Sequence, residues 1–296
     1  YGSLLNIEGF NSSDIVNLIV IDSRLPRILT AIMVGVILSS TSTALQSMLR
    51  NPLVDPYILG ISSGAAFGAA LSLTFIPHIP PEFMALAFSL IALFLTLSIS
   101  YVGGYDKTLS IVLAGIAVTS LFSAAIAIVK YLVPDPNVLA SIVFWVMGSF
   151  AHTNWYRVLK LMVTAICITM ILTLMGWRIN VLTLSDEEVR ALGVNPLRER
   201  LIIITLSSIA TAVAVSAVGV IGWIGLIIPN VMRLFIGPDN RLLIPSAALL
   251  GAIVTLIADD IARCLLPEEL PITAMTTIVG VPYLLYMMNR KGRNHV

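Results

Sequence analysis

The chain is predicted to be all-α, a polytopic bundle of membrane-spanning helices, and three observations predict it. Of its 296 residues 58% are hydrophobic and only 11% are charged, whereas a soluble domain carries about a quarter charged residues. The apolar residues gather in blocks of roughly 20 between short polar breaks, the length that crosses a hydrocarbon core. Within a block such as Leu201 to Val215, Leu201, Ile202, Ile203 and Ile204 run consecutively, while a barrel strand alternates apolar and polar over about 10 residues.

In chain order the blocks predict nine spans, over 25–49, 57–77, 83–103, 108–133, 157–177, 201–221, 222–237, 242–266 and 271–289. The second carries Gly60, Gly64 and Gly68 at i+4 spacing beside Ala65 and Ala69. Such a small-residue face lets another backbone approach, either within the subunit or at a translocation path. Between the fourth and fifth, 138–150 is too short to span and reads as an interfacial or re-entrant helix. Before the sixth comes the longest polar loop, 178–200, where Ser185-Asp186-Glu187-Glu188 forms a capping box. There Ser185 accepts from the Glu188 N–H and the Glu188 side chain returns to the Ser185 N–H. Acids in the first turn suit the helix dipole, and Gly193 fits the left-handed residue that ends the helix after about two turns. Between the sixth and seventh spans, Gly219, Gly222 and Gly225 followed by Pro229 predict a break, a moving gate or a tight turn.

Nine spans put the two ends on opposite sides, and lysine and arginine choose between them. With residue 296 inside, the inner side holds Arg50, Lys107, Arg178, Arg190, Arg198, Arg200, Arg233, Arg241, Arg290, Lys291 and Arg293, eleven of the 17 basic residues. The outer side holds Arg24, Arg27, Lys130, Arg157, Lys160 and Arg263. Tyr1 then begins outside, so a further helix is expected ahead of this sequence. Tyr1 to Phe10 has neither a basic leader nor an apolar run, so no signal peptide is read there.

A net charge of +1 offers no basic face for nucleic acid. Cys167 and Cys264 lack CxxC spacing and read as small packing residues, not a disulfide or metal site. His78, His152 and His295 are scattered, read as solvated, and form no catalytic or metal-spaced set; no G-x-x-x-x-G-K-[ST] phosphate cradle is present. No catalytic residue, resident metal or cofactor is therefore assigned to this chain. An ion-coupled secondary transporter would display midplane ionisable residues, and the interiors of the predicted spans are nearly free of charge apart from the Asp259 and Asp260 pair. An intramembrane enzyme would need a nucleophile or metal constellation.

The segments RLPR (24–27), Gln46, RNPLVDPYILGISSGAAFG (50–68), FWVMGSF (144–150), EEVRALGVN (187–195), GVIGWIGLIIPNVMR (219–233), DNRLLIP (239–245), ADDIAR (258–263), ELPI (269–272) and VGVP (279–282) occur in this order. With them the chain resembles the FecCD family, permeases of importers for iron-siderophores, haem, cobalamin and related solutes. The resemblance implies a type II ABC importer permease fold of ten helices, one transmembrane domain over 1–296, in the cell membrane of a prokaryote with the C-terminus cytoplasmic. It implies a permease homodimer, two cytoplasmic ATPase subunits that hold ATP and Mg, and an extracytoplasmic solute-binding protein. The family's first helix precedes its RLPR segment. Asn230 stands where the family usually has His, so no role of that imidazole is carried over.

By the resemblance, loop 178–200 couples to the ATPase. The helix from Ser185 through Glu187, Glu188, Val189, Arg190, Ala191 and Leu192 to Gly193 would dock, with Val189, Leu192 and Val194 as apolar contacts; by itself the loop could instead lie on the membrane surface. Arg24, Arg27 and Arg263 would anchor span ends at the interface by composition alone. In the family's cobalamin importer the matching arginines pair with carboxylates of the binding protein. Asp259 at i−4 or Asp260 at i−3 could hold Arg263 in place. Gly60, Gly64, Gly68, Gly222, Gly225 and Pro229 are the candidates for path or gate. The implied solutes are iron or haem chelates first, then cobalamin and molybdate or tungstate, since FWVMGSF and GWIGLIIP also resemble the molybdate and tungstate branch.

Overall fold

The computed structural model describes residues 19–102, 107–151, 153–265 and 269–293. Tyr1 to Phe10, His152 and His295, and the side chains of Lys107, Arg290, Lys291 and Arg293, lie outside the described residues. After a π-helical turn at Val20–Arg24 come α1 (Leu25–Met48), a 3₁₀ turn (Pro56–Leu59), α2 (Ile61–Phe75), α3 (Pro81–Val102), α4 (Lys107–Leu132), α5 (Pro136–Met147) and α6 (Trp155–Leu174). Then follow α7 (Gly176–Val181), α8 (Asp186–Ala191), α9 (Pro196–Val218), α10 (Ile224–Ile236), α11 (Asn240–Cys264) and α12 (Ile272–Arg293).

Among the described residues six helices are long and apolar enough to cross a membrane: α1 with its π turn, α3, α4, α6, α9 and α11. Two of the other three expected spans are shorter apolar helices, each for a local backbone reason. Residues 57–77 divide at Gly60, whose φ of +80° ends the 3₁₀ turn and starts α2. The 15 residues of α2 reach roughly 22 Å, short of a hydrocarbon core of about 30 Å. The span expected at 222–237 starts only at Ile224, because Gly219 and Trp223 take positive φ. The third, α12, runs 22 residues from Ile272 to Arg293. The 138–150 segment is indeed a 12-residue helix, α5, with Asp135 accepting from the Asn137 N–H and Gly148 at φ +72° beyond its end.

The helix at the centre is α1, 72% buried over its most apolar window, against 28% for α3, α4 and α6, which turn Phe94, Leu113, Ile166 and Met170 outward. Its run Ser39-Ser40-Thr41-Ser42-Thr43 is wholly buried. Three of these hydroxyls stay satisfied inside the helix: Ser40 donates to Val36 O (2.7 Å), Thr41 to Ile37 O (2.7 Å) and Thr43 to Ser39 O (2.6 Å). Small residues also let α11 cross closely. A β-carbon on Gly35 would lie 2.6 Å from Thr255 Oγ1, and one on Gly251 would lie 2.5 Å from Gly35 O. In lipid such close van der Waals approach replaces hydrophobic drive as the source of helix association. Cys167 and Cys264 are exposed, so they sit on the outside of the bundle and not among its packed residues.

Candidate functional site

Two polar ends and a broken helix pair make up the site. Arg27 and Ser47 stand at opposite ends of α1, separated by about 30 Å at 1.5 Å per residue, which is the thickness of a hydrocarbon core.

At the Arg27 end, Nε donates to Asp259 Oδ2 (3.0 Å), Nη2 to Asp259 Oδ1 (2.7 Å) and Nη1 to Glu269 Oε1 (2.5 Å). The Asp259 side chain is 0% exposed. A carboxylate so placed requires a cation, and the planar guanidinium fork supplies two bonds to it. The expectation that Arg27 presents itself to a partner is therefore corrected: Arg27 is buried and spends its donors inside the chain. Arg263 donates from Nη2 to Asp260 (2.6 Å) and lies 3.7 Å from Asp259 through Nε. Both acids named from spacing thus face it, but Asp259 chiefly serves Arg27, across a sequence separation that no local rule reaches. Arg24 is exposed. The three arginines share one end, with only Arg24 and part of Arg263 facing outward.

Between the ends, α9 stops at Val218 and α10 starts at Ile224. An unwound stretch at membrane depth must find partners for its backbone. Here Ser149 N–H donates to Val218 O (2.9 Å), Thr273 Oγ1 to Val220 O (2.6 Å) and Tyr57 Oη to Ile221 O (2.8 Å). Three different parts of the chain hold the break open. Trp223, at φ +72°, lies over Gly280, where a β-carbon would come within 2.5 Å of its indole. Pro229, without an N–H, leaves the Gly225 carbonyl free of its i+4 donor, and Gln46 Nε2 takes it (3.2 Å). Asn230 has no vacancy to fill: Nδ2 donates to Pro52 O (2.8 Å) and Leu226 O (2.7 Å), and Oδ1 accepts from Arg233 (3.1 Å). Beside the break, toward the Arg27 end, lies a cavity of about 550 Å³ lined by Phe144, Trp145, Gly148, Val218, Arg157 and Glu269; Arg157 pairs with Glu82 across it.

The glycine candidates separate by what surrounds them. Gly64 and Gly68 press on the α3 backbone, with the Phe88 carbonyl 2.5 Å from a β-carbon on Gly64 and Met84 C 2.6 Å from one on Gly68. Gly60 is a left-handed joint against Val118 of α4. These three pack within the subunit, not along an open path. Gly225 meets Ser42 and Asp55, while Gly222 has only Thr273 Cγ2 at 3.9 Å.

At the other end, α8 has the expected capping box: Ser185 N–H donates to Glu188 Oε2 (2.8 Å) and Glu188 N–H to Ser185 Oγ (3.4 Å). Ser185 Oγ also donates to Glu188 Oε2 (2.7 Å), and that bond, followed by the one from the Ser185 N–H, holds the Glu188 carboxyl below the usual carboxylate range. The helix closes in a Schellman pattern, Val194 N–H to Val189 O (3.2 Å) and Gly193 N–H to Arg190 O (2.9 Å), with Gly193 at φ +76°. In that pattern the side chains at the two outer positions commonly pack together. Accordingly Val189 is 0% exposed and Val194 packs on the core, so neither serves as the free apolar contact expected of it. Leu192, 55% exposed, remains, flanked by exposed Glu187, Arg190, Ala191 and Gly193. Arg200 clamps α8 to α9 through both Asp186 oxygens (2.6 and 3.2 Å) and holds that carboxyl below its ordinary range.

The FecCD transport family model matches residues 3–290. The molybdate import system permease protein MolB of Haemophilus influenzae is 39% identical over 282 residues, 93% of this chain and 83% of that one. The hemin transport system permease protein HmuU of Yersinia pestis is 39% identical over 277 residues, 90% of this chain and 82% of that one. A solved structure described as an inward-facing conformation of a metal-chelate type ABC transporter superposes with a TM-score of 0.86 at 35% identity, covering 95% of this chain and 91% of that one. A broken helix pair beside a cavity, set between two charged ends a membrane's thickness apart, is thus found in a chain that belongs to the FecCD transport family.

Proposed function

We propose that this permease works as a homodimer with two cytoplasmic ATPase subunits and an extracytoplasmic solute-binding protein, its C-terminus inside, and passes a metal chelate inward by alternating access. The observation that carries the reading is the unwound 219–223 stretch, braced by Ser149, Tyr57 and Thr273 beside a cavity of about 550 Å³. A cavity of that volume suits a drug-sized ligand and exceeds the needs of a one-metal oxyanion. Its Phe144 and Trp145 offer apolar flats to an organic chelator. An iron or haem chelate is accordingly the favoured solute, ahead of cobalamin and molybdate or tungstate. Loop 178–200 presents Leu192 to the ATPase, and Arg24 with Arg263 faces the binding protein.

The test is reconstitution in proteoliposomes with the cognate ATPase and binding protein, using haemin and molybdate as probes. ATP-dependent accumulation of haemin is expected, with no ATP hydrolysis by the purified chain alone. Hydrolysis by the single chain, or uptake driven by an ion gradient without the ATPase, would overturn the assignment. Leu192→Asp should weaken ATPase co-purification by about tenfold or more, since a charge would have to be desolvated where an apolar contact forms. Unchanged co-purification would remove Leu192 from the docking surface.

A further inference from the structure

A continuous hydrogen-bonded chain joins the polar loop to the break. Arg233, in the last turn of α10, is its centre. In one direction Arg233 Nη1 donates to Gln46 Oε1 (3.4 Å) and Gln46 Nε2 donates to Gly225 O (3.2 Å), the carbonyl that Pro229 leaves unclaimed. In the other, Arg233 Nη2 donates to Ser47 Oγ (3.4 Å), Ser47 Oγ to Asn240 Oδ1 (2.7 Å) and Asn240 Nδ2 to Asn180 Oδ1 (2.7 Å). Asn180 Nδ2 then donates to Asp239 Oδ1 (2.7 Å). Every donor points away from the guanidinium, toward the Gly225 carbonyl on one side and the Asp239 carboxylate on the other. Such polarised chains strengthen one another in a low dielectric.

Four helices take part, α7, α11, α1 and α10, and no link between them is local in sequence. Gln46, Asn230 and Asn240 are buried, where apolar residues would pack without needing partners. Asn180 lies at the start of the 178–200 loop, six residues before α8. The two 3.4 Å links from Arg233 are the longest, and with the 3.2 Å bond from Gln46 to Gly225 O they are the links between α10 and α1, so a small shift of α10 against α1 would open the chain at that seam first.

We propose that Asn180, Asn240, Ser47, Arg233 and Gln46 are positioning residues that transmit the seating of the loop on an ATPase to the first turn of α10, and so set the break. The inference rests on the reading of 178–200 as the docking loop. Hydrogen–deuterium exchange on the permease–ATPase complex in nanodiscs, with and without a non-hydrolysable ATP analogue, tests it without any transported solute. In the wild type, protection of 185–194 by the ATPase reports docking, and a nucleotide-dependent change of about fivefold or more in exchange over 219–227 reports the break. Ser47→Ala removes the central link at little steric cost and should abolish the change over 219–227 while protection of 185–194 persists. Ser47→Thr, which keeps the hydroxyl, should restore it. A Ser47→Ala protein with the wild-type response, or a Ser47→Thr protein that fails like Ser47→Ala, would overturn the relay. Absence of protection over 185–194 in the wild type would instead overturn the docking reading on which it rests.

Discussion

Arg27→Ala is expected to unfold about 5–8 °C below the wild type, because removing one partner of a buried ion pair costs about 3–5 kcal/mol and a chain of this size loses about 1.6 °C per kcal/mol. Asp259 has no exposure to water, and Arg27 supplies both of its short bonds. Arg263 stands 3.7 Å away and is already engaged by Asp260. Arg27→Lys should recover only part of the loss, since one ammonium cannot reproduce a fork that meets Asp259 and Glu269 together. The double variant Arg27→Leu, Asp259→Leu should be far more stable than Arg27→Ala, because an apolar pair leaves no buried charge. Fluorescence-detected thermal unfolding in nanodiscs measures all three. A wild-type melting temperature for Arg27→Ala would show that the arginine faces outward after all and return it to the binding-protein surface.

That pair marks the boundary of what local spacing can reveal. The capping box at Ser185, the left-handed Gly193, the short α5 and the break after Gly219 are all legible because each is written within a dozen residues and obeys backbone rules. The six helices that are long and apolar enough to cross a membrane among the described residues follow from block length in the same way. Arg27 with Asp259, and Gly35 with Gly251, are pairings across more than 200 positions, set by which helix faces meet. The spacing Gly35 to Ser39 and Gly251 to Thr255 repeats the i+4 pattern that draws attention to Gly60, Gly64 and Gly68, so the α1–α11 crossing carries a readable signal. What the pattern lacks is the identity of the partner helix. Val189 shows a different limit. Its position on a capped helix is plain, yet its direction depends on a helix end that folds the side chain back toward the bundle. Asn230 departs from the expected imidazole, and its amide meets its demands by donating to two carbonyls and accepting from Arg233.

The glycines of the break should respond to alanine in opposite ways. A β-carbon on Gly225 would overlap Ser42 Oγ and stand 2.8 Å from Asp55 Oδ2, with α1 on one side and the α1–α2 connection on the other. Neither can yield cheaply: Ser42 belongs to the wholly buried run of α1, and Asp55 caps the 3₁₀ turn by accepting from the Tyr57 N–H (3.1 Å). The first turn of α10 would have to move off α1, stretching the Gln46 bond to Gly225 O, and overpacking of this kind costs about 1–3 kcal/mol. Gly222 is two residues from the helix start, outside the left-handed region, and a methyl there would make only an ordinary contact with Thr273 Cγ2 at 3.9 Å. Gly222→Ala should therefore transport as the wild type does, whereas Gly225→Ala should lower ATP-dependent haemin uptake by about tenfold or more, at roughly 1.4 kcal/mol per factor of ten, with ATPase co-purification unchanged. The contrast separates a seat for a moving element from a simple turn. If Gly225→Ala carries haemin at the wild-type rate, the first turn of α10 has room to shift without consequence, and the 219–229 segment is a fixed corner of the bundle instead of its gate.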